Sequence, residues 1–217
     1  MKEYGLFPST LWSDDLNLNV DELRREIDKF SKVNPSVNYS NAGGYQGHGF
    51  YYKPLIDSIQ NAVPRYDDPE LGDLFIGHSM WVNINCRGAH NRRHTHADGI
   101  ILLSGVYYVK VPKDSGNIIF FDPRPSIVGS FADSRYFGKG ASNVYPIQPK
   151  ENMLLLFPCW LEHEVEPNNT NEDRISISFN IVRKKDLENY ESIRSFYWYV
   201  KQTERYYKEN PVLCENY

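Results

Sequence analysis

Three groups of residues in this chain have the types and spacing to hold a metal ion and an organic acid beside it. The first is His94-Thr95-His96-Ala97-Asp98. Residues two apart in a strand project to one face, so at a strand entrance His96 and Asp98 can reach a common point. His94 shares that face, and spacing alone does not choose between the two histidines. An imidazole and a carboxylate so placed make two corners of a facial triad, and the third must be a histidine delivered by the fold. His163 is the one histidine downstream, and it follows the apolar run Met153-Leu154-Leu155-Leu156-Phe157-Pro158. Such a set leaves three positions of an octahedral ion open, enough for a bidentate ligand and one further small molecule. The last group, Arg174-Ile175-Ser176, lies eleven residues beyond His163. Arg174 and Ser176 share a strand face. A guanidinium grips a carboxylate through two parallel hydrogen bonds, and the serine hydroxyl can add a third.

These residues need a scaffold that brings distant segments to one point. Short runs dense in β-formers span 79–86, 100–111, 117–121, 153–158 and 174–182, separated by turn residues. Strands without βα alternation predict a barrel or sandwich, so the fold class is mainly β. Ahead of them, Asn19 with Glu22 three residues later reads as a helix start, and Val20, Leu23, Ile27 and Phe30 fall on one face of about three turns. A weaker helix is expected over 54–63. The Asn-, Ser- and Gly-rich stretch 34–49, with Gln46 and His48, reads as a surface loop. His90 and Arg92-Arg93 read as solvated loop residues, and 166–173 as a turn. The tail 186–207 returns to helical character, and its crowded Phe196-Tyr197-Trp198-Tyr199 suits packing on the barrel or a homodimer surface. The expected layout is one domain over 1–217, with an N-terminal support (1–73), a β core (74–183) and a C-terminal helical extension (184–217).

Composition narrows the function classes. Hydrophobic residues make up 41% and charged residues 24%, ordinary values for a globular domain. A net charge of −4 disfavours nucleic acid as a partner. Cys86, Cys159 and Cys214 form no paired motif, which points to a reducing compartment rather than a disulfide framework. Residues 1–5 lack the apolar run of a signal peptide, and no stretch has the length of a membrane span, so the expectation is a cytoplasmic protein with no membrane partner.

The order of the three groups resembles the 2-oxoglutarate/Fe(II) dioxygenase superfamily. More narrowly, several segments are similar to a family of 2-oxoglutarate-Fe(II) oxygenases of bacteria and phages. They are Leu6-Phe7-Pro8, Ser104-Gly105-Val106-Tyr107-Tyr108-Val109, Phe121-Asp122-Pro123-Arg124, Phe157-Pro158-Cys159-Trp160-Leu161-Glu162-His163-Glu164-Val165 and Arg174-Ile175-Ser176-Ile177-Ser178-Phe179-Asn180. The resemblance implies a double-stranded β-helix (a jelly-roll or cupin-like barrel) with flanking helices at both ends. It implies Fe(II), 2-oxoglutarate and dioxygen as the reacting groups, and hydroxylation of an unidentified substrate with release of succinate and CO2. A His-x-His pair stands eight residues before Ser-Gly in that family, which lands on His96. Asp98 then occupies a ligand place where relatives carry histidine, and His94 becomes a supporting group or substrate contact. The implied metal ligands are His96, Asp98 and His163, with His94 as the alternative. Arg174 and Ser176 would hold the far carboxylate of the cosubstrate, and Tyr108, Asn83 and Asn180 are further inward-facing candidates. A cupin-like metalloenzyme that ignores 2-oxoglutarate, or a non-catalytic binding barrel, is the competing reading. Arg174-Ile175-Ser176 speaks against the former and the ligand set against the latter.

Overall fold

The computed structural model describes residues 8–63, 74–97, 100–124, 143–183 and 186. The chain is mainly β. Its elements in order are β1 (Trp12–Asp15), α1 (Val20–Val33), β2 (Asn41–Ala42), β3 (Tyr45–His48), α2 (Lys53–Ala62), β4 (Leu74–Asn85), β5 (His90–His94), β6 (Ile101–Lys110), β7 (Ile118–Phe121), β8 (Val144–Ile147), β9 (Met153–Pro158), β10 (His163–Val165) and β11 (Arg174–Arg183). They build two antiparallel sheets, one in the order β1-β9-β6-β11-β4-β3 and one in the order β2-β5-β10-β7-β8.

The six-stranded sheet is covered on both faces, and β11 shows why. Ile175, Ile177, Phe179 and Ile181 point to a core shared with Leu23, Ile27 and Phe30 of α1 and Leu55, Ile56 and Ile59 of α2. The alternate residues, Arg174, Ser176, Ser178 and Asn180, point to the space between the sheets. Strand β6 divides likewise. Tyr107 and Val109 join the helix-side core, while Val106 and Tyr108 join a smaller cluster with Ile118, Phe120, Leu155 and Phe157 between the sheets. Coverage on both faces is why 101–110 reads as a nearly continuous apolar run.

Helix α1 begins where its cap places it, with the Asn19 side chain accepting a hydrogen bond from the Glu22 amide at 3.2 Å. The stretch 34–49 is more ordered than a surface loop. It holds β2 in one sheet and β3 in the other, with Asn41 and Gln46 buried. Gly43 and Gly44 make that crossing between sheets. Gly43 sits at φ +79, and a Cβ on Gly44 would come within 2.6 Å of the Ile84 carbonyl oxygen. A glycine pair that signals flexibility in sequence here permits close backbone approach.

Gly105 of β6 is a second such point. A Cβ there would lie 2.3 Å from Cζ of Phe179 and 2.8 Å from Leu156. Gly105→Ala is expected to lower stability by about 1–3 kcal/mol through overpacking, read as a shifted urea midpoint with an unchanged slope.

Leu6 and Phe7 of the N-terminal motif, and the expected C-terminal helix with its aromatic dimer surface, lie outside the described residues.

Candidate metal centre and acid-binding cavity

Strand β10 is only three residues long, yet it brings the histidines together. It pairs with β5 and β7, which sets His163 opposite both His94 and Phe120. Directly opposed side chains in an antiparallel pair lie close enough to touch, and the His94 and His163 ring centroids are 4.4 Å apart. His96 follows the end of β5. Its amide donates to the Cys159 carbonyl at 2.8 Å, which ties it to the turn that leads into His163. Its ring lies 4.9 Å from that of His94 and 5.2 Å from that of His163. One ligand nitrogen from each of the three histidines falls within 4.8 Å of the others.

Hydrogen bonds behind the rings set which nitrogen faces the centre. Nδ1 of His163 lies 2.9 Å from the Leu161 carbonyl oxygen, and Nδ1 of His94 lies 2.6 Å from that of Arg92. A carbonyl only accepts, so Nδ1 carries the proton and Nε2 keeps its lone pair. Metal-bound histidines are held in this way.

The rings are also kept neutral, the state a metal requires. Burial, then the charge of His94, pushes His163 down to about 3 despite the Leu161 carbonyl. Burial, then His163 and His94, holds His96 well below the usual value. Burial lowers His94, against the pull of the Arg92 carbonyl. In the unfolded chain these groups titrate near 6.5, so between there and their folded values the unfolded state binds protons that the folded state refuses. The stability of the metal-free protein therefore falls as pH drops below about 6.5, whereas the metal affinity of the folded protein falls only as pH nears the lowered folded values. Across pH 5 to 8 the urea midpoint of the metal-free protein is expected to decline toward acid, while metal titrations of the folded protein decline less over the same range.

Asp98, the expected carboxylate ligand, lies outside the described residues. His94, the alternative, stands in the cluster with His96 and His163.

The cavity beside the cluster is lined by Trp81, Asn83 and Asn85 of β4, Tyr108 of β6, and Arg174, Ser176 and Ser178 of β11, among others. Strand register explains the grouping, since Arg174 faces Asn85, and Ser176 faces Asn83 on one side and Tyr108 on the other. Arg174 is 1% exposed. Its described hydrogen bonds run to backbone carbonyls, those of Ser115, Gly116 and Glu166. A buried guanidinium satisfied only by carbonyls still carries a full charge that an incoming carboxylate would neutralise. Burial raises the Tyr108 phenol above its ordinary value, so it stays a neutral O–H donor. Asn83 donates to Ser178 at 3.1 Å, and its Oδ1 is buried with no hydrogen-bond partner.

Asn180 lies farther along the same face, where it accepts a hydrogen bond from Ser104 at 2.8 Å, and it does not line the cavity. The cavity also has a polar wall absent from the sequence expectations, in which Asn85 donates to Asn91 and Asn91 to Ser40. No spacing rule links those three residues, because the sheet crossing at Gly43-Gly44 brings them together.

Residues 79–180 match the family model described as "Putative 2OG-Fe(II) oxygenase". Over this segment the chain is similar to the core of 2OG-Fe(II) oxygenases. The family's cofactors, Fe(II) and 2-oxoglutarate, suit a site of three neutral imidazoles next to a buried guanidinium. No curated protein sequence matches the chain. Solved structures share its fold at low identity. A prolyl-4-hydroxylase from Pseudomonas putida is 18% identical with a TM-score of 0.55, covering 81% of this chain and 94% of its own. A prolyl hydroxylase from Trichoplax adhaerens, in complex with a hypoxia inducible factor peptide fragment, is 16% identical with a TM-score of 0.59, covering 82% and 86%. HygX from Streptomyces hygroscopicus, with nickel and 2-oxoglutarate bound, is 12% identical with a TM-score of 0.56, covering 81% and 84%. The two-sheet arrangement is thus the jelly roll of these oxygenases.

Proposed function

We propose that this oxygenase hydroxylates a C–H bond of a substrate still to be assigned, releasing succinate and CO2. The observation that carries the reading is the convergence of His94, His96 and His163 at a cavity that also holds buried Arg174. The iron and its 2-oxo acid supply the oxidising power, by coupling decarboxylation to the use of dioxygen.

In this reading the three histidines hold the metal through Nε2, with Nδ1 of His94 and His163 locked to backbone carbonyls. Arg174 takes the far carboxylate of 2-oxoglutarate in a two-pronged grip, and Ser176 and Tyr108 add hydroxyl donors. Asn83 orients the acid from β4. Phe157 and Phe120 pack on His163, with ring centroids 4.7 and 5.9 Å away, and keep water from its far side. Residues 74–183 would form the double-stranded β-helix, 1–73 its support and 184–217 a helical extension. No helix among the described residues is long and apolar enough to cross a membrane. The dispersed, free Cys86 and Cys159 fit a reducing, cytoplasmic setting.

Anaerobic titration with Fe(II) and then 2-oxoglutarate tests the reading. A weak visible charge-transfer band is expected, followed by succinate formation when air is admitted. If no band forms and Arg174→Ala leaves 2-oxoglutarate affinity unchanged, a metalloenzyme of the cupin type replaces it. Proline-bearing peptides head the substrate panel, given the likeness to two prolyl hydroxylases.

A further inference from the structure

A line of aromatic rings runs from the histidine cluster to the surface. Trp81 packs on His96 with centroids 5.5 Å apart and planes at 39°. His48 faces Trp81 across the β3–β4 register and stacks on its indole at 5.3 Å and 14°. Tyr39 meets His48 edge-on at 5.3 Å. Exposure rises outward, from 7% at Trp81 to 58% at Tyr39.

We infer that Trp81, His48 and Tyr39 form a path by which the metal centre, left oxidised by dioxygen with no substrate to attack, draws one electron from the protein surface. The inference rests on the oxygenase reading above. Trp81 gives one electron to the oxidised iron centre, which is reduced by one unit. The indole cation takes one electron from Tyr39 across the imidazole of His48. Tyr39 releases its phenolic proton to water and is left as a neutral phenoxyl radical. A dissolved thiol or ascorbate then returns one electron and one proton. Without such a path, the oxidising equivalent falls on the metal-binding histidines.

The other rings near the cluster serve less well. Phe120 and Phe157 touch His163, but a phenyl ring is far harder to oxidise than an indole or phenol. Tyr108 lines the cavity, yet burial opposes loss of its proton. Tyr39 is exposed, so water is at hand to take the proton that its oxidation releases.

The test uses the full chain, loaded anaerobically with Fe(II) and 2-oxoglutarate and then exposed to dioxygen without substrate. Freeze-quench EPR and peptide mass spectrometry read out where oxidation falls, and succinate is assayed in the same samples. Wild type is expected to show a tyrosyl signal and oxygen addition or dityrosine at Tyr39. Tyr39→Phe loses the signal and keeps succinate formation, with oxidation retreating to Trp81. Trp81→Phe loses the Tyr39 modification. Tyr39 left clean while exposed Trp160 is oxidised overturns the relay, as does Tyr39 modification that persists at the wild-type level in Trp81→Phe, the mark of a diffusing oxidant. Succinate with a clean Tyr39 sinks the relay alone. If no succinate forms in any sample, the oxygenase reading fails and the relay goes with it.

Discussion

His163→Leu is expected to leave a folded protein that no longer binds Fe(II). Disturbing only the partners behind a metal ligand costs about 10–100-fold in affinity, so loss of the ligand itself should exceed that range. Leucine suits the site because His163 is 4% exposed and packs on Phe157 and Phe120. An apolar side chain there removes buried nitrogens that must be kept neutral, so the metal-free variant should match or exceed wild-type stability below pH 6.5. Anaerobic calorimetry with Fe(II), or with Ni(II) as a stand-in, reads the affinity, and urea melts read the fold. The same measurement on His94→Ala and Asp98→Ala assigns the third ligand. With His94 as ligand, His94→Ala loses the metal and Asp98→Ala keeps it. The opposite pattern would restore the carboxylate triad and leave His94 as a supporting group.

What the sequence made legible follows from how each segment is buried. Strand β11 could be read in advance, because its alternation of Ile or Phe with Arg, Ser or Asn matches a strand with an apolar core on one face and a polar cavity on the other. Helix α1 was legible from its cap and stripe. Strand β5 was not, since His90-Asn91-Arg92-Arg93-His94 carries no apolar residue and gets its place from pairing with β2 and β10. That omission matters for the metal. With β5 read as loop, His94 and His96 looked equivalent on an incoming strand, whereas pairing with β10 places His94 directly opposite His163. Nothing local marks Trp81 within its run of β-formers: its contact with His96 is tertiary, and its stacking on His48 follows from the β3–β4 register.

Arg174 carries the second large effect. Replacing it with methionine keeps much of the length and removes the charge. Truncating one partner of a buried, hydrogen-bonded charge pair costs about 2–5 kcal/mol, which is roughly 30-fold to several-thousandfold in affinity for 2-oxoglutarate. The loss should appear chiefly in the KM for 2-oxoglutarate, because the histidines and the metal they hold are untouched. Arg174→Lys should rescue little, since a single ammonium cannot reproduce the two-pronged grip or the parallel bonds to the Ser115 and Glu166 carbonyls. A thermal readout separates binding from folding. For metal-loaded wild type, 2-oxoglutarate at a hundred times its Kd adds about 2.7 kcal/mol of stability, and the Arg174→Met variant should keep no more than about 0.9 kcal/mol of that gain at the same concentration. A variant that still gained the full increment would mean that the acid is held elsewhere in the cavity, with Arg174 serving only to tie β11 to the segments around Ser115 and Glu166.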